Sequence, residues 1–107
     1  MIVLPSPMMY AQSARLAQLA KKHRLPATSM FVPFAEAGGM LVYGPNAPAA
    51  TEQCAVLVAK ILSGAKPMDL PIERPSKFEL VLNVKTARQL HLTVPDTVLL
   101  RADRLIN

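Results

Sequence analysis

Three strand-like stretches, Ile2-Val3-Leu4, Ala27 to Val32 and Met40 to Tyr43, are separated first by a helical pattern and then by a single turn. This order constrains the chain more than any other feature. Parallel strands cannot be joined by a tight hairpin; they need a long crossover, and the stretch from Pro7 to His23 is long enough to supply one. Strand, helix, strand with a short return is the grammar of a βαβ unit, in which helices cover a parallel sheet. The expected fold is therefore α/β, a small mostly parallel sheet flanked by helices.

The punctuation between elements is chemical. Ser6 is a good N-cap and Pro7 suits the first helical position, so a helix is expected from about Pro7 to His23. Its apolar stripe would be Met9, Leu16, Leu19 and Ala20, and Leu25-Pro26 would end it. Pro33 to Ala37 allows one helical turn, broken by Gly38-Gly39. Gly44-Pro45-Asn46 is turn chemistry. Pro48 opens a helix that runs to Ser63, with Cys54, Val58, Ile61 and Leu62 on one side and Gly64 as its stop. Ala65 to Pro75 is proline-rich and irregular. Phe78 to Leu82 is a fourth strand, and Asn83 caps a helix from Val84 to Leu90. Thr93-x-x-Asp96 with Pro95 resembles a capping box opening a last helix, to about Ile106. A length of 107 residues suits one domain, residues 1–46 forming the βαβ half and residues 47–107 the helix, crossover strand and terminal helices.

Composition excludes several classes. Twelve Lys and Arg against seven Asp and Glu give a formal charge of +5, which invites a nucleic-acid reading. Lys21, Lys22 and Arg24, however, end the first helix, where cations complement the macrodipole, and no aromatics alternate with bases as stacking platforms require. No nucleic-acid partner is expected. Cys54 is the one cysteine, so no internal disulfide shapes the fold, and its apolar helical setting reads as a buried structural thiol. No apolar run is long enough for membrane insertion. The N-terminal MIVLPSP has neither a basic region nor a long apolar region and is not read as a signal peptide. As written the chain is expected in the cytoplasm.

The catalytic inventory is thin. His23 and His91 sit at expected helix C-termini, no His, Cys or carboxylate group has metal-ligand spacing, and no nucleophile elbow or phosphate-cradling loop is present. No enzyme activity, cofactor or metal is expected. What remains is a set of binding positions at the carboxyl ends of the strands, where open α/β sheets place their ligands. Ser6 opens a helix whose N-terminus favours an anion such as a carboxylate. Phe31, Phe34 and Tyr43 could sandwich a planar or apolar side chain, Asn46 offers a donor and an acceptor, and Glu36 is the one acid in these segments. Each position also has a packing alternative: Ser6 as a cap, the two phenylalanines as core, Glu36 as a solvated residue or a partner for a backbone N–H, Tyr43 and Asn46 as parts of a tight turn.

Phe34-Ala35-Glu36-Ala37-Gly38-Gly39, Tyr43-Gly44-Pro45-Asn46, Lys77 to Asn83 and Leu100-Arg101-Ala102-Asp103 occur in an order and spacing that resemble the end of the ABC-transporter substrate-binding proteins of the tryptophan/tyrosine-binding type. Leu4-Pro5-Ser6-Pro7 is similar to a segment of that family that usually carries Asp where this chain has Ser6, and Lys22 to Ala27 is similar to the start of a lobe strand. The resemblance implies a partial lobe of a type I periplasmic-binding-protein-like fold, with two lobes closing over a small-molecule solute, possible aromatic amino acids among the ligands, and an ABC permease as partner in the full-length context. It implies a periplasmic or lipid-anchored extracytoplasmic location if the chain is cut from a longer exported precursor. By analogy, the Ala49 to Ser63 helix would pack on the other lobe. Left without it, two copies would bury each other's apolar surfaces as a homodimer. The alternative is a truncated oligomeric fragment that binds no solute and acts only through protein–protein contacts.

Overall fold

The computed structural model describes residues 1–107. In chain order the elements are α1 (Pro7–Ala11), α2 (Ser13–Lys22), β1 (Thr28–Ser29), α3 (Val32–Glu36), β2 (Leu41–Pro45), α4 (Ala47–Leu62), a 3-10 turn (Pro67–Asp69), β3 (Phe78–Asn83), α5 (Val84–Gln89), α6 (Asp96–Leu99) and β4 (Arg104–Ile106). One four-stranded sheet holds the strands in the order β1-β2-β3-β4. The pair β1–β2 is parallel, as expected, and β3–β4, whose second strand was not expected, is parallel too. Bonds from Asn83 N to Met40 O (2.8 Å) and from Asn46 N to Lys77 O (3.0 Å) join the start of β2 to the end of β3 and the reverse, the antiparallel sense. The sheet is therefore mixed.

Several elements differ from the sequence expectation, each for a physical reason. The first run survives as one parallel bridge, Ile2 to Thr28, supported by Val3 N donating to Thr28 O at 2.8 Å. The first helix is two. Ser13 Oγ donates back to the carbonyls of Tyr10 (2.6 Å) and Met9 (3.2 Å), a back-bond that bends helices, and the chain breaks at Gln12. Beyond the break the buried face of α2 is Ser13, Ala17 and Ala20, and Leu19 is turned to solvent. Small residues on that face let α2 lie close against α3. The expected last helix stops at Leu99, has Pro95 and not Thr93 at its cap, and gives way to a strand. Asp103 is the cause: its N–H donates to Leu80 O (2.9 Å) and its carboxylate accepts from Leu80 N (2.8 Å), which pins the tail beside β3.

The chain packs as two compact units. The first comprises Met1–Gly44 and Glu79–Asn107 and holds the core. Phe34, Leu82, Val42 and Val81 are its largest fully buried side chains, each contributing about 1.5–3 kcal/mol of hydrophobic stabilisation. Phe34, 1% exposed, sits where Gly39 has no side chain, and a Cβ there would overlap its ring. The tail belongs to this unit.

The second unit, Pro45–Phe78, is built on α4, which Asn46 caps by accepting from Ala49 N at 3.0 Å. Gln53 Nε2 donates to Glu73 Oε2 (2.6 Å) and Arg74 O (3.3 Å), tying the irregular segment to the helix. None of the sixteen residues of α4 is buried. Cys54, expected inside, is exposed, as are Val58, Ile61 and Leu62 beside it.

Candidate functional site

In the first unit Ser6, Phe31 and Tyr43 lie toward the carboxyl end of the parallel strands. The registers Ile2–Thr28 and Thr28–Leu41, carried past their last paired residues, align Pro5, Phe31 and Gly44 in one row, with Tyr43 one residue before it. Gly44 is required in that row because a Cβ there would overlap the Met30 carbonyl oxygen.

Ser6 stands at the mouth of α1 with extended backbone (φ −155°), and its Oγ accepts from Met9 N at 3.1 Å. Its capping role is thus filled. Because α1 ends after five residues, the anion-favouring dipole expected from a long first helix is correspondingly small. Phe31 caps α3 and is half-buried; its ring meets Tyr10 edge-to-face, centroids 5.0 Å apart at 81°. Tyr10 and Tyr43 are 53% and 59% exposed. Tyr10 was not singled out from sequence. The available signal was its place in the turn opened by Ser6-Pro7, directly after the first strand-like run.

Phe34 does not join this edge. Its burial makes it a core residue, which corrects its inclusion among residues meant to face a ligand. Glu36 forms an ion pair with Arg104 (2.9 Å), both side chains about half exposed, so its partner is the tail strand and not a backbone N–H. Pairs of this exposure contribute roughly 0–1 kcal/mol. Asn46 lies in the second unit as the cap of α4.

Beside the start of β2, a polar cluster holds α3 in place. Asn83 Nδ2 donates to Ala35 O (2.9 Å), Asn83 Oδ1 accepts from Thr86 N (2.9 Å), and Thr86 Oγ1 donates to Gly38 O (3.0 Å). From sequence Asn83 was legible only as a helix cap. Cavities of about 260 Å³ (lined by Met8, Met9, Gln12, Arg15, Leu16 and Leu19) and about 290 Å³ (against α5) open elsewhere in this unit, and neither is lined by a residue expected at the site. No group of three or more His, Cys, Asp or Glu side chains is placed to hold a metal ion, and no helix is long and apolar enough to cross a membrane. The edge can offer aromatic faces and hydroxyls to a ligand; it does not assemble a nucleophile with a base.

A family model described as ABC transporter substrate binding protein matches residues 1–106. No curated protein gives a significant match. Among solved structures, a conserved domain protein from Vibrio cholerae O1 biovar El Tor is similar with a TM-score of 0.90 at 26% identity, over 97% of this chain and 35% of its own. A Streptococcus pneumonia ABC domain in complex with L-Trp shares the fold with a TM-score of 0.88 at 22% identity, over 98% and 36%. The ligand-free, open form of a substrate-binding protein with adhesive properties from Clostridium difficile reaches 0.66 at 15% identity, over 99% and 35%. The chain thus spans about a third of the length of these structures. The α/β arrangement is that of part of a periplasmic-binding-protein-like structure.

Proposed function

Because the chain belongs to the family of ABC transporter substrate-binding proteins, we propose that it captures a small solute with a planar aromatic side chain, without catalysis, for delivery to an ABC permease. The observation that carries this reading is the edge-to-face pair of Tyr10 and Phe31 at the carboxyl end of the parallel strands, with Tyr43 exposed in β2. Aromatic faces offered there suit an aromatic ligand, because offset and edge-on ring contacts add about 0.5–1.5 kcal/mol each beyond burial. Ser6, at the mouth of α1, would meet the polar part of the solute, and Glu36 at the end of α3 is kept as a second polar candidate. The L-Trp held by the pneumococcal structure makes tryptophan the first ligand to try. The setting proposed is extracytoplasmic, where such capture precedes import.

NMR titration of the isotope-labelled chain with tryptophan tests the placement. Shifts concentrated at Ser6, Tyr10, Phe31 and Tyr43 are expected, and shifts confined to the cavity against α5 would contradict it. A second reading is favoured by α4, whose exposed stripe of Cys54, Val58, Ile61 and Leu62 carries no charge: a homodimer in which two copies cover each other's α4.

A further inference from the structure

We infer that Asn83 and Thr86 are positioning residues for the ligand-binding edge, acting through α3 and making no contact with solute themselves. The inference rests on the solute-binding reading above and adds the device that sets its geometry.

Both side chains are buried, Asn83 5% and Thr86 4% exposed, yet neither serves only its own helix. Asn83 uses its oxygen to cap α5 at Thr86 N and turns its amide nitrogen outward to Ala35 O, 2.9 Å away in α3. Thr86 gives its hydroxyl to Gly38 O at 3.0 Å, at the loop where α3 ends. The two bonds grip α3 and its exit from one rigid β3–α5 junction, crossing 48 positions of sequence. The gripped segment carries the site. Phe31 is the residue that opens α3, and Glu36 follows Ala35 directly. Asn83 is also paired to Ile106 of β4, the strand whose Arg104 holds Glu36. Losing the Asn83 amide donor would leave Ala35 O to the Gly38 N–H (3.1 Å), and losing the Thr86 hydroxyl would remove the side-chain bond to Gly38 O; either change weakens the hold on α3.

Three variants of the 107-residue chain test this: Asn83→Asp, which keeps the cap acceptor and loses the donor to Ala35; Thr86→Val, which keeps the shape and loses the hydroxyl; and Thr86→Ser, which keeps the hydroxyl. Two readouts are taken on folded protein: tryptophan affinity by calorimetry, and amide hydrogen exchange. The expected result is that Asn83→Asp and Thr86→Val each weaken binding about tenfold, as loss of one buried hydrogen bond predicts, while Thr86→Ser stays near wild type. In the same two variants Gly38 and Gly39 amides, which donate to Ala35 and Phe34, exchange faster while the β3–β4 ladder does not. Unchanged affinity in both variants, or faster exchange spread over the whole unit, would overturn the positioning role. If wild type binds no aromatic amino acid, the solute-binding reading fails instead. The exchange experiment then decides by itself whether the junction holds α3, and unchanged Gly38 and Gly39 exchange would overturn that as well.

Discussion

Gly39 and Phe34 show how tightly single residues are set in the first unit. A Cβ at Gly39 would overlap the Phe34 ring and lie 2.7 Å from the Phe34 carbonyl oxygen, which cannot swing aside because it accepts from Gly39 N. Gly39→Ala should therefore destabilise the chain by about 1–3 kcal/mol, the usual cost of forcing extra volume into a packed core, read as a lower urea midpoint with unchanged slope. An unchanged midpoint would mean that the ring relaxes freely. His91 lies at the opposite extreme. It closes α5 in the left-handed region (φ 57°), with its N–H on Arg88 O and the Leu92 N–H on Ala87 O. Arg24 closes α2 in the same conformation (φ 52°). Side chains other than glycine pay roughly 1 kcal/mol there, so His91→Gly is expected to raise the melting temperature by a few degrees. A fall would show that the imidazole makes a stabilising contact of its own.

Elements whose ends are fixed by local chemistry were legible in the sequence, and elements fixed by distant partners were not. Pro48 and Gly64 bounded α4 to within a residue or two, and Asn83 marked the β3–α5 junction; Asn46, read as turn chemistry, proved to be the cap of α4. The cap residues do this unaided, since each bonds a backbone group three positions away. The tail was misread as helix because its strand depends on Asp103 reaching Leu80, a contact no local pattern announces. The same holds for the candidate site. Ser6 and Phe31 were found at strand ends, but the burial of Phe34 follows from a glycine five positions further on, and Tyr10 joins the edge only because Ser13 ends α1 where it does. For α4 the apolar stripe was legible and its exposure was not. Sedimentation velocity should show concentration-dependent association of the wild-type chain that is lost in Val58→Glu/Ile61→Glu, with no loss of helix by circular dichroism. A monomer at every concentration would remove the homodimer reading.

At the scale of the whole molecule, the chain matches its family along nearly all its length yet spans about a third of the structures it resembles. Its first unit nevertheless carries its own core, a strand edge with exposed aromatics, and a buried junction that holds α3. Solute capture is the central claim, and calorimetric titration of the 107-residue chain with tryptophan, tyrosine and phenylalanine tests it most directly, with leucine as the apolar control. The account predicts saturable heat for at least one aromatic amino acid, none for leucine, and loss of that heat in Phe31→Ala. A folded chain that gives no heat with any of the three, or binds leucine equally well, would contradict it.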